Sequence, residues 1–226
     1  MGRFEREIGL LGEDGLNRLF ASKVAVIGLG GVGGSCAIAL ARSGVGRLLL
    51  LDGDVVEESN LNRQTLFGYS DLGRRKAEAA KEALSPYCGS IEAFDAYLDE
   101  GNIDSFPLEG CDFLLDCIDD LKAKIAIIRY CLTHRIPFLS SCGMGKRLDP
   151  SKVGITSLDK TYGCPIAKRM RSLLRKEGID LTKVEVVFSS EPPEDRALIP
   201  SSLIMVPSEA GLLLAYRCIG KLAFGE

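Results

Sequence analysis

The ten residues 24–33, VAVIGLGGVG, constrain the fold of this chain more than any other segment. An apolar run, Val24 to Ile27, ends in Gly28, Gly30, Gly31 and Gly33, and a helical stretch from Ser35 to Arg42 follows at once. Glycine lets the backbone turn tightly and approach an anion closely, while the free N–H groups of the next helix supply positive potential. A second apolar run, Leu48 to Leu51, then ends in Asp52. That is where a nucleotide-binding β-α-β unit places the acid that takes the ribose hydroxyls. The pattern predicts an adenine nucleotide and leaves open which one.

From residue 23 onward, strand and helix patterns alternate. Strands are expected at 23–27, 47–52, 90–95, 112–116 and 137–141, and helices at 32–43, 73–84 and 121–134. An amphipathic lead-in (Phe4, Ile8, Leu11, Leu16, Leu19) precedes them. The alternation implies an α/β fold with a doubly wound, mostly parallel Rossmann-like sheet, its ligand at the C-terminal ends of the strands. After Gly143-Met144-Gly145 the pattern changes. A strand at 152–158, a basic helix near 165–176, strands at 183–189 and 202–206 and a final helix at 208–222 read as a partly antiparallel elaboration. The expectation is a single domain, with a nucleotide-binding core over 1–142 and the C-terminal elaboration over 143–226. EPPEDRALIP (191–200) reads as a short loop.

Composition narrows the function classes. With 46% hydrophobic and 26% charged residues the 226-residue chain has the make-up of a globular enzyme, and its net charge of −3 provides no global attraction to a polyanion. No secretory signal and no membrane-spanning run is apparent, so a cytoplasmic protein is expected. The eight cysteines form no C-x-x-C pair and read as reduced thiols, with no zinc site.

Three residues move the choice of nucleotide from NAD toward ATP. Arg63, in NLNRQ (60–64), offers a fork of donors to phosphate oxygens, and Lys76 begins the next helix at the same end of the sheet. Asp119, in LLDCIDD (114–120), lies just past another strand end. A triphosphate needs several cations and a carboxylate for Mg2+, whereas a dinucleotide pyrophosphate needs neither. His134, the one histidine, belongs to the opposite end of the sheet and reads as structural, which disfavours hydride transfer. Asp54 either assists near the phosphates or shapes the turn after Asp52.

These pieces, GLGGVG (28–33), LLDGD (50–54), NLNRQ (60–64), GRRKAE (73–78) and LDCIDD (115–120), resemble the ThiF/MoeB/HesA superfamily, the adenylating fold shared with ubiquitin-activating enzymes. The resemblance implies that Asp52 binds the ribose, that Arg63 and Lys76 bind the phosphates, that Asn62 and Gln64 line the site, and that Asp119 holds Mg2+. RFERE (3–7) is similar to a segment whose arginine reaches the neighbouring subunit's ATP, which makes Arg6 a candidate and implies a homodimer. Within the superfamily, residues 140–179, VEVVFSSEPP (184–193) and SSLIMVPSEAGLLLA (201–215) resemble the tRNA threonylcarbamoyladenosine dehydratase branch. That branch uses ATP to cyclise threonylcarbamoyl-adenosine in tRNA by carboxylate adenylation and ring closure. The resemblance also leaves room for a monovalent cation ordering residues 140–165 and for a sulfur-relay or carrier protein as partner.

The basic stretch Lys168, Arg169, Arg171, Arg175 and Lys176 is either a tRNA contact or a solvated helix face. Cys164 and Cys142 are either thiols available for a thioester or buried side chains. The competing function is adenylation of the C-terminus of a small ubiquitin-like sulfur-carrier protein. Many such enzymes carry two C-x-x-C pairs, which this chain lacks.

Overall fold

The structure is a computed structural model that describes residues 2–194 and 201–225. Its elements run α1 (Glu5–Ala21), β1 (Lys23–Ile27), α2 (Gly31–Arg42), β2 (Arg47–Leu51), α3 (Lys76–Leu84), β3 (Ser90–Phe94), β4 (Phe113–Asp116), α4 (Leu121–His134), β5 (Phe138–Ser141), β6 (Val153–Ser157), α5 (Pro165–Lys176), β7 (Glu185–Ser189) and α6 (Met205–Phe224). One seven-stranded sheet has the order β3-β2-β1-β4-β5-β7-β6. Only the β6–β7 pair is antiparallel; β7 joins β5 in parallel, so the sheet continues past residue 142 without a break. The strand order reverses between β1 and β4, and a fold of this kind binds its ligand at that crevice.

Both faces of the sheet are covered, which is why the central strands read as unbroken apolar runs rather than alternating ones. Side chains alternate across the pleat. Val24, Val26, Leu48, Leu50 and Leu115 pack under α2, α3 and α6, while Ala25, Ile27, Leu49, Leu51 and Leu114 pack against α4 and the 98–108 segment. A third cluster joins the outer face of α4 to α5 and β7 through Ile125, Ile128, Met170, Leu174 and Val186.

Two expectations are corrected. The strand expected at 202–206 does not form; α6 starts at Met205 instead. Pro207 has no N–H for a ladder but fits the first turn of a helix, and Val206, Ala210 and Leu214 recur every four residues as a buried face. The helix expected from residue 73 starts at Lys76, because Gly73 (φ +78°) and the Val55–Arg75 bridge hold residues 73–75 in a turn. Of the loop expected at 191–200, only 191–194 lies within the described residues. His134 ends α4, stacked on Tyr130 with Nδ1 3.1 Å from Glu109, and is not among the side chains that line the main cleft. No helix among the described residues is long and apolar enough to cross a membrane.

Candidate active site

A cleft of about 1050 Å³ opens over the C-terminal ends of β1, β2, β4 and β5. Gly28, Gly30, Gly31, Asp52, Asp54, Arg63, Gln64, Lys76 and Asp119 all line it. Gly33, Asn62 and Arg6 do not.

The glycine loop divides its work. Gly28 turns the chain at φ +87°, a conformation L side chains rarely adopt. At Gly33 a Cβ would come within 1.8 Å of the Gly28 carbonyl oxygen, so this glycine serves close strand–helix packing rather than ligand contact. The N-terminus of α2 has no side-chain cap and no acidic residue in its first turn, which leaves its dipole uncompensated toward the cleft.

Asp52 ends β2 with its carboxylate already oriented. Oδ2 accepts from Leu29 N–H at 2.6 Å and Oδ1 from Asp54 N–H at 2.8 Å. Burial pushes its carboxyl above the usual aspartate range, more than these two hydrogen bonds and Lys76 pull it down. Next to it, Lys76 Nζ lies 2.8 Å from Asp54 Oδ2, and Tyr97 donates its hydroxyl to Asp54 Oδ1 at 2.7 Å. Burial raises the Asp54 carboxyl, but the bonds from Lys76 and Tyr97 outweigh it and the group sits below its ordinary range. Asp54 therefore holds Lys76, whose side chain is only 5% exposed, aimed along the cleft wall. Tyr97 reaches this site from 43 residues away, on the loop after β3, and no local motif announces it.

Arg63 uses one guanidinium nitrogen on Ser59 O (2.8 Å) and Asn62 Oδ1 (3.0 Å). Its other donors make no hydrogen bond among the described residues. Asn62 donates to the O of cleft-lining Ser202 at 2.9 Å, tying the Arg63 loop to the approach to α6. Asn60, two residues earlier, is the asparagine that lines the cleft. Gln64 is buried there with Oε1 unpartnered, an acceptor that a bound ligand or water would satisfy. Of the adjacent acids, Asp120 caps α4 by accepting from Ala123 N–H at 2.8 Å, while Asp119 faces the cleft with no partner among the described residues. Among those residues no group of three or more His, Cys, Asp or Glu gathers as a metal cage.

Beneath the floor lies a network that sequence reading missed. Lys124 Nζ is 3.0 Å from both oxygens of Asp116, and both side chains are 0% exposed. Ser140 donates to Asp116 Oδ2 at 2.5 Å and Ile118 N–H to Oδ1 at 3.2 Å. The network ties β4, β5 and α4 together just below the 117–120 loop that carries Asp119.

On the far wall, the Cys142 thiol donates to the Cys164 sulfur. That bond, against the effect of burial, together with the N–H groups of Ala167 and Gly143 and the charge of Arg147, brings the Cys164 thiol down to about 5. The same bond and burial push Cys142 up. The lowered value means that thiolate accumulates as pH rises through about 5, so alkylation of Cys164 by iodoacetamide is expected to reach half its plateau rate there. Peptide mass spectrometry would read this; a half-point above pH 8 would contradict it. In α5, Lys168 and Arg175 face solvent, but Arg171 turns inward and donates to Thr161 O at 2.8 Å.

The ThiF family model matches residues 4–193. The chain belongs to the ThiF family. Among relatives of this ThiF-family chain, the tRNA threonylcarbamoyladenosine dehydratase of Bacillus subtilis is 39% identical over 233 aligned positions, covering 94% of this chain and 91% of the relative. The enzyme of the same name from Escherichia coli K12 is 33% identical, covering 84% of this chain and 74% of its own length. The crystal structure of the E. coli dehydratase in complex with ATP superposes with a TM-score of 0.90 at 30% identity, covering 97% of this chain and 93% of that one. The molybdopterin-synthase adenylyltransferase of Salmonella typhimurium is 37% identical over 149 positions, covering 64% of this chain and 59% of its own.

Proposed function

We propose that this ThiF-family chain is an ATP-dependent dehydratase that cyclises threonylcarbamoyl-adenosine in tRNA. The observation that carries the reading is the convergence of the glycine loop, Asp52, Arg63, Lys76 and Asp119 on one cleft, in a chain that aligns along nearly its whole length with dehydratases of that name. In the reaction, the substrate carboxylate attacks the α-phosphorus of ATP, forming an acyl-adenylate and releasing pyrophosphate. An internal nucleophile of the modified base then attacks the acyl carbon, displaces AMP and closes the ring, with net loss of one water from the nucleoside.

The protein's part is positioning and charge neutralisation. Asp52 takes the ribose hydroxyls, and the N-terminus of α2 faces the phosphates. Lys76, held by Asp54, and Arg63, through its unengaged donors, neutralise the charge that builds on the phosphates as pyrophosphate leaves. Asp119 is the residue that would hold Mg2+: a free cleft-facing carboxylate is what this ion uses alongside nucleotide phosphates, and it supplies charge neutralisation when bound. Arg6 is exposed on α1 and lies outside its own subunit's cleft; in the homodimer that the family resemblance implies, it serves the neighbouring one. The cytoplasm, where tRNA is modified, is the compartment that this activity and the eight free cysteines favour.

The test is AMP release from Mg-ATP in the presence of tRNA with and without threonylcarbamoyl-adenosine. Release that depends on the modification supports the reading. Release that depends instead on a small carrier protein, with modified tRNA inert, would overturn it.

A further inference from the structure

Residues 160–176 contain six cations and no acid, in a chain whose net charge is −3. Four of the six, Lys168, Arg169, Arg175 and Lys176, lie on the exposed side of α5, opposite the buried Ala167, Met170 and Leu174. None of these four side chains has an ion-pair or hydrogen-bond partner among the described residues. Glu177, the acid that follows, is committed to Arg129 at 2.7 and 2.5 Å.

The position of these charges matters as much as their number. Arg175 and Lys176 sit at the C-terminal end of α5, where cations favour the helix dipole. Lys168 and Arg169 lie one turn in from its N-terminal end, and the first turn holds no acid to compensate them. That end of α5 is also a wall of the cleft, through Cys164, Pro165 and Ile166.

Beside it stands Tyr162, 60% exposed, two residues before the helix cap. Its ring meets Phe188 edge-to-face at 5.6 Å and 72°, which fixes the ring while leaving much of it open to solvent. Arg171 steadies the same loop through its bond to Thr161 O. A fixed, exposed aromatic ring next to a row of unpaired cations is how proteins hold single-stranded RNA: bases stack on the ring and phosphates track the cations. An anionic membrane would call for an apolar seam, and Leu173 is the one large apolar side chain exposed on this helix.

We propose that Tyr162 and the exposed face of α5 dock the single-stranded loop of the substrate tRNA, with a base on Tyr162 and phosphates on Lys168 and Arg169, so that the modified nucleotide enters the cleft at the start of α5. The inference rests on the tRNA reading of the cleft.

Fluorescence anisotropy of a labelled, unmodified tRNA transcript, titrated at several salt concentrations, tests it. Lys168→Gln/Arg169→Gln is expected to raise Kd about tenfold at about 0.1 M salt and to flatten the plot of log affinity against log salt by about two, one for each lost phosphate contact. Tyr162→Ala is expected to raise Kd about fivefold or more without changing that slope. ATP affinity and thermal unfolding, measured alongside, should match the wild type, and Lys81→Gln on α3 should leave Kd unchanged. Wild-type Kd and slope in the α5 and Tyr162 variants, with a wild-type protein that binds tRNA, would overturn this surface alone. A wild-type protein that binds ATP but no tRNA would overturn the surface and the tRNA reading together.

Discussion

Lys76→Met is expected to lower the rate of AMP formation by about a hundred- to a thousandfold while leaving the fold intact. Removing one preorganised charge-stabilising donor from a reacting centre costs about 3–4 kcal/mol of transition-state stabilisation. In the proposed reaction, Lys76 is such a donor. It is nearly buried and held at 2.8 Å by Asp54, which is itself held by Tyr97, so little reorganisation is needed as charge develops on the phosphates. Its partner Asp54 is 50% exposed and can rehydrate once the lysine is gone, so the loss should appear in turnover rather than in unfolding. Single-turnover AMP release would separate the two, with Lys81→Met, on the solvent side of α3, as the control. Undiminished AMP release by Lys76→Met would remove this residue from the chemistry.

The second large effect concerns stability. Lys124→Met leaves Asp116 charged, fully buried and without its cation; breaking a buried pair in this way costs about 3–5 kcal/mol. For a chain of this size that corresponds to a fall of about 10 °C in Tm. Asp116→Leu combined with Lys124→Met removes both charges and should recover much of the loss, because the penalty lies in the orphaned ion more than in the pair. Activity should not recover in parallel. Asp116 also accepts from Ser140 and from the Ile118 N–H, and so anchors the loop that presents Asp119. Thermal unfolding of the two variants beside the wild type decides the matter; a single variant as stable as the double one would contradict it.

The contrast between these two residues marks what could be read from the sequence. Lys76 was singled out because it begins a helix at the end of the sheet where phosphates were expected, and it lies on the cleft wall. Lys124 has the opposite local signature. It lies in LKAKIAII beside the exposed Lys122, and one-dimensional spacing cannot tell a solvent-facing helix lysine from one aimed at a carboxylate eight residues back. Long-range partners were hidden for the same reason: Tyr97 on Asp54, and Cys142 on Cys164, meet only when the sheet order brings β2, β3, β5 and α5 to one end.

Local pattern did well where local physics dominates. Helix α4 spans 121–134 and β1 spans 23–27 as expected, the apolar run Val24 to Ile27 following from a strand buried on both faces; Asp120 caps the helix. It failed at 202–206, where 202–204 form neither strand nor helix and only Met205 and Val206 enter α6, whose buried face begins at Val206. The asparagines of NLNRQ show the limit at single-residue scale. The resemblance pointed to Asn62; the 3-10 turn at 58–60 brings Asn60 to the cleft wall, while Asn62 holds the O of Ser202 at the cleft's edge.

The central claim is that one cleft activates a carboxylate on tRNA with ATP and closes a ring. Its most direct test is the mass of the nucleoside after reaction of purified protein with Mg-ATP and tRNA bearing threonylcarbamoyl-adenosine, with AMP counted in the same sample. The modified nucleoside is expected to lose one water for each AMP released. An unchanged nucleoside mass, in protein that binds ATP and the tRNA, would contradict it.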